Sequence, residues 1–230
     1  MQTPSGILMA YLRLRRILEL AVLDRPGLQW LLGDRGGRSE RRAPAEHWET
    51  LHRTGTYDAL MDEGRRDHLR LLAAMIAERR PGARVLEIGC GQGAFYAALR
   101  SHGPAAYRGV DIAPAAIARA QETFAADIER GLAHFEAGDG AELGLEGGFD
   151  AIVFADSIEY LGPIDEVLAR FGPLLAPDGV FGVTQWLAPH PLRLWGALKP
   201  KLHLRDEALV SAPWGGAWQV WTGRPRPGPS

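Results

Sequence analysis

Val85-Leu86-Glu87-Ile88-Gly89-Cys90-Gly91-Gln92-Gly93 is a short apolar run ending in a cluster of glycines, and Ala94-Phe95-Tyr96-Ala97-Ala98-Leu99 follows it with helical apolar spacing. The pattern predicts a buried strand, a tight turn and a helix start. Glycines suit such a turn because its backbone takes positive φ and lets a ligand approach the main chain, while the N–H groups of the first helical turn face outward. The turn is therefore a candidate site for something nucleotide-like.

The same residues satisfy the dinucleotide fingerprint as Gly89-x-Gly91-x-x-Ala94, whose third position accepts Gly or Ala. A second strand, Tyr107-Arg108-Gly109-Val110-Asp111, ends in an acid 20 residues beyond Gly91. A carboxylate there can accept both ribose hydroxyl hydrogens. Pro114 suits the first turn of the following helix, expected from Ala115 to Ala126. Spacing alone leaves a nicotinamide-dependent oxidoreductase and other nucleotide-binding α/β proteins as alternatives.

Glu87 at the strand end, with the E-x-G-x-G-x-G spacing after it, resembles motif I of the class I S-adenosylmethionine-dependent methyltransferases. The resemblance covers about residues 45–224 and implies an α/β fold: a doubly wound, Rossmann-like seven-stranded sheet with its last strand antiparallel. It implies S-adenosylmethionine as cofactor, with Glu87, Gly89, Cys90, Gly91, Gly93, Asp111 and Ile112 around it. Asp139, in the loop after a third strand that includes His134-Phe135-Glu136-Ala137, matches the acid that bonds the adenine amino group, with Gly140 and Ala141 supplying backbone.

Phe149–Asp156 reads as a fourth strand, and Ser157-Ile158-Glu159-Tyr160-Leu161 follows at its carboxyl end, where ligands bind in open α/β sheets. This stretch resembles the D-x-I-E-H-L segment of ubiquinone-biosynthesis-type small-molecule methyltransferases, so Ala155, Asp156 and Ser157 are expected beside the cofactor. Tyr160 replaces the family's histidine, and a phenol with an ordinary pKa near ~10 is a poor base at neutral pH. Glu159, Tyr160 and His68 are the candidate catalytic residues. The Asn/Asp-Pro-Pro-aromatic segment of base-methylating enzymes is absent here. A helix from Pro163 to Leu175 is expected next. Leu174-Leu175-Ala176-Pro177-Asp178-Gly179 then turns into a fifth strand, Val180–Trp186, and that L-x-P-x-G turn again resembles the family.

Upstream, His47–Leu60 and an amphipathic helix including Asp67–Ile76 precede Pro81-Gly82. In small-molecule methyltransferases that resemble this chain, a helical segment there closes over the cofactor, which makes Tyr57 and His68 pocket candidates. Residues 7–23 form an apolar helical segment interrupted by Arg13, Arg15, Arg16 and Glu19, too charged for a membrane span and unlike a signal peptide. It is expected to pack on the domain or on a second copy of the chain. Contact with a membrane surface is the alternative. The division expected is a helical extension and glycine-rich, charged loop over 1–44, a methyltransferase domain over 45–224 and a disordered tail over 225–230.

The chain has 230 residues and a net charge of −2, which gives no electrostatic case for nucleic acid. One cysteine, Cys90, excludes an internal disulfide and a cysteine-built metal site, and no other metal ligand set is apparent. Arginine supplies nearly all the positive charge, with lysine only at positions 199 and 201, as in a high-GC bacterial gene. Tryptophans gather in the last third. Trp218 and Trp221, in an expected final strand Ala217–Trp221 beside strand five, have opposite parity and cannot share a face. Trp186 and Trp195 are candidates for lining an acceptor pocket.

The expected function is methyl transfer from S-adenosylmethionine to an oxygen or nitrogen of a small-molecule acceptor by a cytoplasmic enzyme. The alternatives are an NAD(P)-dependent oxidoreductase and a catalytically silent cofactor-binding partner.

Overall fold

The computed structural model describes residue 14 and residues 43–187, 189–212 and 216–226. The expected helix at 7–23, residue 14 apart, and most of the charged loop lie outside these residues, as do Trp214 and residues 227–230 of the expected tail. Among the described residues, no helix is long and apolar enough to cross a membrane.

The elements run α1 (Ala45–Arg53), α2 (Asp67–Arg79), β1 (Arg84–Ile88), α3 (Ala94–Leu99), β2 (Ala106–Asp111), α4 (Pro114–Thr123), α5 (Ala125–Glu129), β3 (Ala133–Ala137), β4 (Phe149–Ala155), α6 (Ile164–Phe171), β5 (Leu175–Trp186), α7 (Pro189–Leu198), β6 (Leu202–Ser211) and β7 (Ala217–Pro225). Short 3₁₀ turns fill several of the connections. The seven strands form one sheet in the order β3-β2-β1-β4-β5-β7-β6. Strands β1 to β5 pair in parallel, and β7 lies antiparallel between β5 and β6. Strand order reverses at β1, beside β4, and this switch point opens a crevice at the carboxyl ends of the strands.

Alternation along the strands feeds a core on each face of the sheet. Val85, Ala151, Val153, Trp218 and Val220 meet Leu69, Leu72 and Ile76 of α2 on one face. Leu86, Ile88, Ile152, Phe154, Phe181 and Trp221 meet Val167 and Phe171 of α6 and Trp195 and Leu198 of α7 on the other. Trp218 and Trp221 thus divide between the two faces as their parity requires. Trp195 packs on Trp221 with ring centroids 4.6 Å apart, in the core instead of a pocket.

Four boundaries differ from the sequence reading by more than one residue. The helix after β2 breaks at Phe124, whose ring stacks on Phe135 of β3, and resumes as α5. Helix α6 ends at Phe171, where Gly172 and Pro173 turn the chain into a 3₁₀ segment. Strand β5 starts at Leu175, before the expected turn, with a register shift against β4 between Phe149 and Ala151. Strand β7 runs through Pro225, and the Arg226 N–H bonds the Lys201 carbonyl, so the first two residues of the expected tail are held at the sheet.

Strand β6 escapes a pattern search because Asp206 occupies a half-buried place in its alternation. Arg79 of α2 binds the Asp206 carboxylate through Nε and a terminal nitrogen at 2.7 and 2.8 Å, and Thr222 of β7 donates to it. Those bonds let a charge stand where the strand pattern asks for an apolar residue.

Trp221→Ala opens a large hole on the α7 face of the sheet. It is expected to destabilise the protein by about 3–5 kcal/mol in urea unfolding; a loss under ~1 kcal/mol contradicts this packing account.

Candidate active site

The glycine turn is held to the end of β2 by three hydrogen bonds, and a fourth fixes the exit of β2 itself. The Val110 carbonyl accepts the N–H groups of Gly89 and Cys90 at 2.8 and 3.0 Å. One Asp111 oxygen accepts the Gly91 N–H at 2.8 Å, and the other accepts the Ala113 N–H at 2.9 Å. Burial pushes the Asp111 carboxyl above its usual range, while the two backbone N–H groups and His52 favour its ionised form. Gly89 has φ of 77°, and a Cβ there would lie 2.6 Å from the Ser157 Cβ, so only glycine lets β1 meet the loop after β4.

That loop is fixed in turn. The Ser157 hydroxyl donates to the Ile88 carbonyl at 2.6 Å. Asp156 sits in the left-handed region at φ 53°, the one non-glycine residue there among those described, and its N–H bonds both the carbonyl and the hydroxyl of Thr184 at 3.1 Å. A non-glycine residue in this conformation costs of order 1–3 kcal/mol and persists where its surroundings fix it.

A cavity of about 410 Å³ lies between these loops and a roof made by α1 and the turns up to α2. The roof is tied down at two points. Glu49 accepts the Ala115 N–H at the start of α4 at 2.9 Å, and Asp58 is bonded by Gln92 at 2.8 Å and by Arg119.

Most of the sequence-predicted site residues come together here. Glu87, Gly89, Cys90, Gly91, Asp111, Ile112, Asp139, Gly140, Ala155, Asp156, Ser157 and Tyr57 all line the cavity, as do His68, Glu159 and Tyr160. Gly93 does not. A Cβ on it would lie 2.7 Å from the Phe124 ring, so this glycine serves the packing of α3 on β3 and the α4–α5 bend. Glu87 turns its carboxyl into the interior, where the Tyr107 hydroxyl donates to it and burial raises it well above the usual carboxylate range. Gly109 makes room for that pair, since a Cβ there would meet the Tyr107 hydroxyl at 2.8 Å. Cys90 is buried, and its thiol is pushed up by burial and by Asp111, which makes it an unreactive small residue of the turn. Asp139 closes an Asx turn by accepting the Ala141 N–H at 2.8 Å.

The roof contributes residues that the sequence did not single out. His52 is buried over the turn, its ring 3.4 Å from where a Gly91 Cβ would be, and its Nδ1 has no hydrogen-bond partner. Burial pulls its imidazole below the usual value, with Asp111 pulling the other way. Trp48 packs edge-on against Tyr160 at 4.7 Å. Both residues lie in one amphipathic helix, α1, whose apolar face was the available signal. Trp218, packed in the core on the α2 face, also reaches the cavity from the start of β7, edge-on to Trp186 at 4.8 Å. Tyr160 and Trp186 are 42% and 37% exposed and mark the mouth.

The lining is acidic. Apart from Arg65, its charged side chains are the carboxyls of Asp111, Asp139, Asp156 and Glu159, the Glu87 carboxyl being turned away into the interior. Such a surface suits a positively charged, phosphate-free nucleoside better than a pyrophosphate. Burial pushes the Tyr160 phenol up to about 12, so it does not serve as a base at neutral pH. No group of three or more metal-ligating side chains occurs among the described residues.

An open parallel sheet with a glycine turn on β1 and an acid at the end of β2 defines a nucleoside-binding α/β protein. Residues 86–181 match the family model described as a methyltransferase domain. The chain is 37% identical over 161 residues to nocamycin O-methyltransferase of Saccharothrix syringae, covering 69% of this chain and 55% of that protein. It is 32% identical over 127 residues to malonyl-[acyl-carrier protein] O-methyltransferase of Geobacter sulfurreducens, covering 54% and 46%. The chain therefore spans about half the length of the curated relatives it matches. Its fold is similar to that of the N-methyltransferase NodS of Bradyrhizobium japonicum in complex with S-adenosylhomocysteine, at TM-score 0.63 and 20% identity, covering 79% of this chain and 98% of that one. It is also similar to that of the [4+2]-cyclase SpnF, at TM-score 0.63 and 15% identity, over 83% and 100%. Residues 86–181 thus carry a methyltransferase domain, and the relatives and fold neighbours support a class I S-adenosylmethionine-dependent methyltransferase, whose cofactor is S-adenosylmethionine.

Burial raises Glu159 to about 7, with Asp156 adding to the rise. The native state thus keeps a proton that an unfolded carboxyl with a pKa near ~4.3 has already released. The associated stability is present below that value and is lost as pH rises through about 7, by on the order of 3–4 kcal/mol. Urea midpoints of the cofactor-free protein should fall between about pH 5 and pH 8, and Glu159→Gln should reduce that fall; an identical fall in the variant contradicts the assignment.

Proposed function

We propose that this protein transfers a methyl group from S-adenosylmethionine to an oxygen of a small-molecule acceptor, within a domain spanning about residues 45–224. The observation that carries the reading is the continuity of one cavity, from the glycine turn and Asp111 to an aromatic mouth at Trp48, Tyr160 and Trp186. Two relatives named as O-methyltransferases support oxygen as the acceptor atom.

The residues present fit the cofactor. Asp111 would accept the ribose hydroxyls through the lone pairs its backbone bonds leave open. Asp139 would take the adenine amino group, with the backbone of Gly140 and Ala141 facing the ring. The turn from Gly89 to Gly91 presents main chain to the methionine portion. His52, above Gly91, offers one more polar atom from the roof. When bound, S-adenosylmethionine supplies a methyl group on a positively charged sulfur, with a neutral thioether as leaving group.

The chain's own contribution is alignment and exclusion of water. The roof held by Glu49 and Asp58 covers the reactants, and alignment of this kind can contribute ~7–11 kcal/mol. The aromatic faces near the mouth can attract the cationic centre, and the acidic lining favours it further. That lining also weighs against the oxidoreductase alternative, because a pyrophosphate would meet several carboxylates there. The concave shape of the cavity and the net charge favour a small molecule over nucleic acid as acceptor.

Isothermal titration tests the reading. S-adenosylmethionine and S-adenosylhomocysteine are expected to bind and NADH is not, and Asp111→Ala should weaken binding by about tenfold to a hundredfold, matching loss of charged hydrogen bonds worth ~1.5–3 kcal/mol. Radiolabelled methyl transfer to a panel of phenols, enols, carboxylic acids and amines then identifies the acceptor class. Binding of NADH alone overturns the proposal.

A further inference from the structure

Two register shifts interrupt the sheet, and both open onto one cavity of about 290 Å³ at the amino ends of the parallel strands. The shift between Phe149 and Ala151 leaves Asp150 of β4 and residues 176–179 of β5 out of the pairing. The shift between Leu204 and Asp206 leaves Arg205 of β6 without a partner residue on β7. Asp150, Asp178 and Arg205 all line the cavity. Bulges of this kind re-aim side chains and gather beside functional sites.

Four arginines line the same space. Arg79 ends α2, Arg80 follows it, and Arg205 and Arg224 come from β6 and β7. The first two are fixed by carboxylates that are fully engaged. Asp206 holds Arg79 through Nε and one terminal nitrogen while also accepting from Thr222. Asp150 holds the Arg80 Nε at 2.8 Å, and its second oxygen accepts the Arg84 N–H at 2.9 Å. The remaining terminal nitrogens of Arg79 and Arg80 make no hydrogen bond among the described residues. Arg205 and Arg224 make no hydrogen bond or ion pair there at all, and Arg224 is half-buried. A partly desolvated guanidinium with unused donors is costly until an acceptor is supplied. Asp178 also lines the cavity without an ion pair. A bound anion must outweigh its charge, which favours a dianion over a monovalent carboxylate.

We propose that this cavity is a binding site for a phosphate dianion, either free inorganic phosphate or the phosphate of a small monoester. Arg205 and Arg224 are its principal ligands, and Arg79 and Arg80 add the N–H groups that their carboxylates leave open. Planar guanidinium forks match phosphate oxygens in pairs, and a tetrahedral dianion has acceptors enough for several forks. The occupant is not the methyl acceptor, because the site stands at the opposite ends of the strands from the glycine turn and Asp111. The inference is therefore independent of the methyltransferase reading.

Isothermal titration of the full chain at low ionic strength tests it, with inorganic phosphate, glycerol 3-phosphate and acetate as probes. At about pH 8 a phosphate monoester, with its second pKa near ~6, is a dianion. The phosphate probes are expected to bind and acetate is not. Arg205→Gln and Arg224→Gln should each weaken that binding by about tenfold to a hundredfold. Tighter binding of glycerol 3-phosphate assigns an ester as the ligand, and tighter binding of phosphate assigns the free ion. Arg205 is exposed, so its replacement leaves the core intact, and S-adenosylhomocysteine should bind both variants as it binds the wild type. Failure of S-adenosylhomocysteine to bind any of the three proteins condemns the methyltransferase reading alone. Failure of both phosphate probes to bind, equal binding of acetate, or unchanged binding in either variant overturns the proposal.

Discussion

The Asp111 carboxylate is the point on which the site depends. Its two oxygens accept the N–H groups of Gly91 and Ala113, so one side chain at the end of β2 shapes the turn after β1 and its own exit loop together. It is 8% exposed, and an ionised carboxylate at that depth is tolerated only because those N–H groups and the His52 ring above it favour the charge. The crevice at the strand ends is thereby built with a pre-aimed anion, at the place where a nucleoside ribose would lie.

The other loops are keyed to the same turn. Ser157 ties the loop after β4 to Ile88, and Gly89 permits that approach because a side chain there would overlap Ser157. The roof is keyed to it through Gln92 and His52. The loop after β4 and the roof are therefore both tied to the glycine turn, at Ile88 and Gln92, only a few residues apart in the chain. This coupling fits a reaction in which alignment is the protein's main contribution.

Much of this arrangement is legible in the sequence, because glycine spacing, an acid at a strand end and alternating parity each have one dominant physical cause. The strand before Gly89, the place of Asp111 and the opposite faces of Trp218 and Trp221 follow in that way. Other features depend on contacts distant in sequence. Asp206 hides β6 because its partner Arg79 lies 127 residues away. Gly93 belongs to the glycine pattern and yet faces Phe124. Trp218 was readable as core, but its bond to Asp156 and its stack on His68 arise only when α2 and β7 pack on the same face of the sheet. The role of His52 likewise follows from where α1 settles over the turn.

The most direct test of the central claim is a crystal structure of the protein grown with S-adenosylhomocysteine. The account predicts the nucleoside in the cavity beneath α1, with the ribose hydroxyls on Asp111 and the adenine beside Asp139. A ligand bound elsewhere, or one whose ribose makes no contact with Asp111, would contradict it.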